Sequence, residues 1–140
     1  MTWEKITIPS IPEARSTVES RIMQLLEKEL YSERHIFSIK LALEEAVVNA
    51  IRHGNDLDPE KNVTVRFNID HEKTVIEIED EGPGFNPDKV PDPTEEDNLD
   101  LPSGRGLMLM DAYMDKVEFE NPGNIVRMTK YRRDAGEDDE

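Results

Sequence analysis

The 140-residue sequence contains no cysteine, which excludes disulfides, thiol nucleophiles and metal sites built on cysteine. It also lacks the run of about 18 continuous apolar residues that a membrane-spanning helix needs. Its first residues, Met-Thr-Trp-Glu-Lys, do not show a basic region followed by an apolar one, so we expect no signal peptide. Together these absences favour a cytoplasmic protein of one ordinary domain.

Positive charge is also scarce: 17 lysines and arginines stand against 32 aspartates and glutamates, and the net charge is -15 at pH 7. Proteins bind nucleic acids chiefly through cationic contacts to phosphate, so we expect no direct nucleic-acid partner. The same charge disfavours an anionic membrane surface. A partner protein with basic patches is compatible with it, and so is a role in solubility alone.

Apolar residues recur at the spacings of strands and helices along most of the chain. The pattern predicts strands at 3–8, 63–69, 76–80, 116–120 and 125–131, and helices at 11–30, at 33–53 and from 104 onward. Ser10 followed by Glu13 is typical of a capping box at the start of the first helix. This order predicts helices that cover one face of a largely antiparallel sheet.

Two segments lack this periodicity. Residues 85–103 hold four of the nine prolines and six acidic residues, and a loop of this length in a compact domain is usually functional or disordered. Residues 134–140 are acidic, and we expect them to form a disordered tail after a domain at 1–133.

A polar pair interrupts the second predicted helix, which is otherwise apolar enough to be largely buried. Glu45 and Asn49 are four residues apart and share one face, with Arg52 near the same line. Burying such groups without partners costs several kcal/mol. Either Glu45 pairs with Arg52 while Asn49 caps a loop, or the polar stripe lines a cavity that holds a ligand or a metal.

Two glycine-rich segments follow. Asp80-Glu81-Gly82-Pro83-Gly84-Phe85 comes directly after a strand, where glycines allow a positive φ or a close approach of ligand to backbone. The inward carboxylate of Asp80 can accept a hydrogen bond from an exocyclic amine such as that of adenine, although an ordinary turn would also suit this segment. Ser103-Gly104-Arg105-Gly106-Leu107 opens the third helix, and free N–H groups there favour an anion. The required Gly-Lys-Ser/Thr of a P-loop is missing.

The order and spacing of these segments resemble the GHKL, or Bergerat-fold, superfamily of ATPases and kinases. Residues 45–50 match its N box, Asp80-x-Gly82-x-Gly84 its first glycine box, and Gly104-x-Gly106-Leu107 its second. Within the superfamily the chain is most similar to the stand-alone anti-sigma factor serine/threonine kinases, through residues 49–54, 109–115 and 128–131. The resemblance covers about 11–132.

The resemblance implies an α/β two-layer sandwich, with helices on one face of a mostly antiparallel sheet and a mobile ATP lid at about 85–103. It assigns Glu45 as the general base toward a partner's hydroxyl, or as the group that orients it. Asn49 would coordinate Mg²⁺, and Asp80 would bind the adenine amino group. The residues expected to bind the nucleotide are Asn49, Arg52, His53, Asp80, Gly82, Gly84, Gly104, Arg105, Gly106 and Leu107.

The function that the resemblance implies is a cytoplasmic, ATP- and Mg²⁺-dependent protein serine/threonine kinase. It would bind a sigma factor and phosphorylate a STAS-type anti-anti-sigma protein, and it would form a homodimer. One alternative is a non-catalytic, nucleotide-dependent regulator that binds a protein partner. Another is the catalytic domain of a histidine kinase, but the sequence has no convincing phospho-acceptor histidine on a dimerisation helix, and His35 has poor context for that role. We expect His35 and His71 to be exposed polar residues.

Overall fold

A computed structural model of the protein describes residues 3–82, 110, 112–120 and 124–132. The predicted loop at 85–103, the start of the third helix and the tail at 134–140 lie outside these residues. The described elements are β1 (Glu4–Pro9), a 3-10 turn (Pro12–Ala14), α1 (Arg15–Lys28), α2 (Glu33–Asn49), a π turn (Ala50–Gly54), β2 (Asn62–Ile69), β3 (Lys73–Glu79), β4 (Lys116–Glu120) and β5 (Ile125–Tyr131).

The five strands form one sheet in the order β1-β2-β3-β5-β4, and every neighbouring pair is antiparallel. Its register aligns one apolar side chain from each strand in a continuous row across one face. The row consists of Ile6, Val65, Ile78, Val126 and Phe119. Because alternate residues of a strand point to the same side, this face is apolar along its length.

The core lies between this face and the two α-helices. Val18, Ile22 and Leu26 of α1 are spaced by about one turn and are completely buried. Ile39 and Leu43 of α2 are equally buried. The helices thus form the second layer of an α/β sandwich, as the sequence predicts. Among the described helices, none is long and apolar enough to cross a membrane.

The capping box predicted at Ser10 is wrong. The first helical turn is the 3-10 turn, which has no side-chain cap, and α1 itself begins only at Arg15. Ser10 is fully buried, and its hydroxyl donates to the carbonyl oxygen of Lys61 at 2.7 Å. A buried hydroxyl needs a partner, and the residue before β2 supplies one across the β1–β2 edge.

The start of α2 agrees with the prediction, because Ser32 caps the helix by accepting from the N–H of His35 at 3.1 Å. The expectation that His35 is exposed is wrong, since only 5% of its surface is accessible. Its Nδ1 lies 2.8 Å from Oγ of Ser32, and its Nε2 lies 3.3 Å from the carbonyl oxygen of Tyr131. His35 therefore belongs to the packing between α2 and β5.

Candidate functional site

The candidate site begins where α2 changes its winding. The α-helix ends at Asn49, and Ala50–Gly54 continue as a π turn that the N–H of Asn55 closes on the carbonyl oxygen of Ala50 at 2.9 Å. Such turns are rare and are frequent at functional sites. The widened turn brings the backbone of Gly54 to the residues that leave β3.

The polar pair of α2 lies one turn before this point. Glu45 is half-buried and Asn49 is 9% exposed, as expected for a polar stripe on a mostly buried helix. Arg52 is exposed, and no ion pair within the described part of the chain joins it to Glu45. The purely structural explanation, in which Arg52 neutralises Glu45, therefore has no support.

Asp80 follows β3 and points inward, as its phase in the strand predicts, with 7% of its surface exposed. Its N–H donates to the carbonyl oxygen of Asn124 at 3.0 Å, and Nδ2 of Asn124 donates to the Asp80 carbonyl oxygen at 3.0 Å. Its Oδ1 accepts from the N–H of Gly82 at 2.8 Å. The backbone of Asp80 is thus fixed to the β4–β5 hairpin while its carboxylate closes a tight turn at the end of β3.

Two glycines allow the π turn and this β3 exit to touch. A Cβ on Gly54 would lie 2.2 Å from Cγ of Asp80, and a Cβ on Gly82 would lie 2.0 Å from the carbonyl oxygen of Gly54. Neither glycine has a φ in the left-handed range. The structure shows a different reason for glycine from the two that the sequence offers, since it is another segment of the protein that approaches the backbone closely. We call Gly54, Asp80 and Gly82 the glycine junction.

The other residues predicted for the site have different outcomes. His53 is half-buried in the π turn and Arg52 points to solvent. Gly84, Gly104, Arg105, Gly106 and Leu107 lie outside the described residues. Within the described part of the chain, no three or more histidine, aspartate or glutamate side chains form a group that could hold a metal.

Sequence reasoning missed two asparagines at the site. Asn55 is completely buried beside the β3 exit, and its Oδ1 accepts from the N–H of Glu81 at 2.7 Å. Asn124 bonds the backbone of Asp80 from the opposite side. The only local signal for Asn55 is its position after the helix-ending Gly54, a place where asparagine also serves in ordinary turns.

Comparisons with known proteins show the family to which the chain belongs. Residues 8–130 match the family model described as a histidine kinase-like ATPase domain. The chain is 28% identical over 134 residues to serine-protein kinase RsbW of Bacillus subtilis, and the match covers 91% of this chain and 84% of that protein. It is 36% identical over 124 residues to the anti-sigma F factor of Bacillus cytotoxicus, covering 84% of this chain and 82% of that protein.

The fold is similar to that in the crystal structure of the RsbU and RsbW domains of Rv1364c from Mycobacterium tuberculosis, with a TM-score of 0.64 and 18% identity. The match covers 95% of this chain and 32% of that chain, so this chain spans about a third of its length. At this identity the likeness concerns the fold alone. The family match and the curated relatives show that the chain belongs to the histidine kinase-like ATPase domain family, in the group of RsbW serine-protein kinases and anti-sigma F factors.

Proposed function

We propose that the protein is an ATP- and Mg²⁺-dependent serine/threonine kinase that also binds a sigma factor. Its substrate is a hydroxyl-bearing STAS-type anti-anti-sigma protein, and phosphorylation of that protein switches the partner that the kinase holds. The names of its relatives, serine-protein kinase and anti-sigma F factor, support both halves of this proposal. The observation that carries it is the glycine junction, which sets a buried carboxylate against bare backbone beside α2.

In this proposal the adenine base lies at the glycine junction. Asp80 accepts a hydrogen bond from the adenine amino group. Its carboxylate suits this role because it is buried and because Asn124 bonds both the backbone N–H and the carbonyl oxygen of Asp80. Gly54 and Gly82 allow the π turn and the β3 exit to meet, and this close packing holds the carboxylate in place beside α2. We also assign Arg52 and His53 to nucleotide binding, together with five residues outside the described part of the chain: Gly84, Gly104, Arg105, Gly106 and Leu107.

The donor set on α2 suits Mg²⁺, which takes a few hard oxygen ligands from the protein and keeps several waters. Asn49 supplies one amide oxygen from a buried position, and the described residues contain no acidic or histidine cage that would favour another metal. The bound ion would neutralise charge on the phosphates and orient them. Asn49 is therefore the residue that we assign to hold it.

Glu45 is the residue that we assign to accept the proton of the partner's hydroxyl, or to orient that hydroxyl. It lies one turn before Asn49 on the same helix face, so it is close to the end of the nucleotide that reacts. No described cation pairs with it. The adjacent Glu44 is equally half-buried but lies toward α1, near Glu19, and has no assigned role.

The test is transfer of labelled phosphate from ATP to a STAS protein encoded near this gene, with Mg²⁺ present. We expect Glu45→Gln to lower transfer at least 100-fold with little change in ATP affinity, since general bases contribute about 10²–10⁴-fold. Glu44→Gln is the matched control and should retain activity. Equal activity of Glu45→Gln and wild type would support the non-catalytic alternative. No transfer by wild type despite tight ATP binding would refute the kinase proposal.

We also propose that the protein is a cytoplasmic homodimer. The described helices pack on one face of the sheet, and Trp3, next to the edge strand β1, is 47% exposed. Large exposed aromatic side chains are enriched at protein interfaces. Light scattering on a sizing column measures the mass of the species in solution, and a monomer at all concentrations would refute this part of the proposal.

A further inference from the structure

Asn55 is completely buried directly after the π turn. A buried side-chain amide is costly unless its polar atoms are paired. Both are paired here. Oδ1 accepts from the N–H of Glu81 at 2.7 Å, and Nδ2 donates to Oγ of Ser10 at 2.7 Å and to the carbonyl oxygen of Asn62 at 3.0 Å. One side chain therefore joins the end of β1, the start of β2 and the exit of β3.

These bonds form part of a closed ring. Asn55 accepts from the N–H of Glu81, the carboxylate of Glu81 accepts from the N–H of Asn62, and the carbonyl oxygen of Asn62 accepts from Asn55. Each member holds the other two, so Glu81 is held by both its backbone and its side chain. The next residue on either side of Glu81 belongs to the glycine junction.

Gly54, the last residue of the π turn, and Asn55, the residue after it, thus hold the β3 exit in two different ways. Gly54 packs its bare backbone against Asp80 and Gly82, while the side chain of Asn55 fixes the peptide N–H that lies between them. Packing of the two backbones prevents the β3 exit from moving closer to Gly54, but it does not prevent the β3 exit from moving away. The hydrogen bond from Glu81 to Asn55 supplies the missing restraint, because it stops the β3 exit from moving away from α2.

We infer that Asn55 is a positioning residue that fixes the carboxylate of Asp80 and thereby sets the preference for adenine over guanine nucleotides. This inference rests on the proposed nucleotide site. Adenine presents an amino donor where guanine presents a carbonyl acceptor. A fixed carboxylate at that place attracts the first base and repels the second. Hydrogen bonds tolerate only a few tenths of an ångström, so a loosened Asp80 loses both effects.

The experiment compares ATP and GTP affinity by calorimetry for wild type, Asn55→Ala and Ser10→Ala, in the presence of Mg²⁺. We expect Asn55→Ala to raise the Kd for ATP about tenfold, because the hydrogen bond between adenine and the charged Asp80 is lost. The Kd for GTP should fall, because the repulsion between that carboxylate and the guanine carbonyl is relieved. Ser10→Ala is the matched control. It removes a bond of the same network but leaves the Glu81 bond in place, so it should lower Tm and retain the ATP-to-GTP ratio.

Amide exchange supplies a readout that does not depend on nucleotide. The Glu81 N–H should exchange slowly in wild type and in Ser10→Ala, and quickly in Asn55→Ala. If Asn55→Ala does not fold, Asn55→Ser is used in its place, because its hydroxyl is too short to reach the Glu81 N–H and still leaves a polar group in the site. The same loss of preference is expected.

Three different results would overturn the inference. If wild type binds ATP and the Asn55 variants keep its ATP-to-GTP ratio, the positioning role is wrong while the nucleotide site stands. If wild type binds neither nucleotide, the proposed function fails first and the inference falls with it. If Ser10→Ala has the same Tm as Asn55→Ala and loses the preference for ATP to the same extent, general destabilisation is the cause. That result also overturns the inference.

Discussion

The substitution Gly54→Ala tests the glycine junction most directly, because it adds a single methyl group. The added Cβ would lie 2.2 Å from both Cγ and Oδ2 of Asp80 and 2.7 Å from its Oδ1. Ordinary carbon contacts begin at 3.4 Å, so the carboxylate must withdraw by about 1.2 Å. It cannot do so by a simple shift of its backbone, which is bonded to Asn124 through both the N–H and the carbonyl group.

The size of the effect follows from that displacement. A hydrogen bond with a charged partner contributes about 1.5–3 kcal/mol, and a shift of more than 1 Å breaks it. We therefore expect the Kd for ATP to rise about 10- to 150-fold in Gly54→Ala. The free energy of unfolding should fall by about 1–3 kcal/mol, which is the usual cost of overpacking a filled site.

Calorimetric titration with ATP measures the first quantity, and urea unfolding followed by circular dichroism measures the second. The double variant Gly54→Ala/Asp80→Ala is the control for the mechanism. It removes the carboxylate that the methyl group would strike, so stability should return toward that of Asp80→Ala while ATP affinity stays low. Wild-type ATP affinity in Gly54→Ala, or a double variant less stable than the sum of the single changes, would refute the reasoning.

Two further predictions concern stability alone. Burial, and then the neighbouring carboxylate of Glu44, raise the pKa of Glu19 above its ordinary value of 4.5. The charged form is therefore disfavoured in the folded state, and the stability present below pH 4.5 is lost as the pH rises through the folded pKa. Glu19→Gln should be more stable than wild type at pH 7 and equal to it near pH 4 in urea unfolding; an equal gain at both pH values would contradict this. Tyr31→Phe removes the bond from the tyrosine hydroxyl to the Asp70 carbonyl oxygen, 2.7 Å long, and should cost about 0.5–1.5 kcal/mol of unfolding free energy, whereas no loss would show that water replaces the hydroxyl.

The elements of the fold were predictable wherever periodicity and turn residues agree. Strands β4 (Lys116–Glu120) and β5 (Ile125–Tyr131) have the predicted bounds, and α2 starts at the predicted residue because Ser32 caps it. In each case the signal is local: alternation fixes a strand, and a side chain three residues away fixes a helix start. The layer arrangement follows, since an apolar sheet face must be covered.

The predictions that were wrong concern polar side chains whose hydrogen-bond partners are far away in sequence. The sequence predicts that Ser10 forms a capping box with Glu13, but its hydroxyl donates to the carbonyl oxygen of Lys61, 51 residues away. Nε2 of His35 lies 3.3 Å from the carbonyl oxygen of Tyr131, 96 residues away, and the side chain is buried. A polar residue at a strand or helix end has several possible partners, and only the assembled sheet decides among them.

The candidate site combines both situations. The sequence predicts which residues form the site, because glycines after a strand indicate a close approach or an unusual φ, and an inward-pointing aspartate needs a hydrogen-bond partner. The π turn was not readable, because nothing in residues 50–54 distinguishes it from the last turn of an α-helix. Yet that turn is what places Gly54 against Asp80 and Asn55 against Glu81. The sequence therefore indicates the components of the junction and leaves their contact to the structure.

The side chains at the glycine junction indicate which end of a nucleotide this part of the site serves. Asp80 and Glu81 supply two carboxylates here, and Arg52, two residues before Gly54, is exposed. In a chain of net charge -15, such a site attracts a triphosphate poorly unless a cation accompanies it. A buried carboxylate suits an exocyclic amine far better than a phosphate. We therefore expect this part of the site to recognise the base, so that changes at Gly54 or Asn55 alter discrimination between nucleotides more than affinity for their shared phosphates.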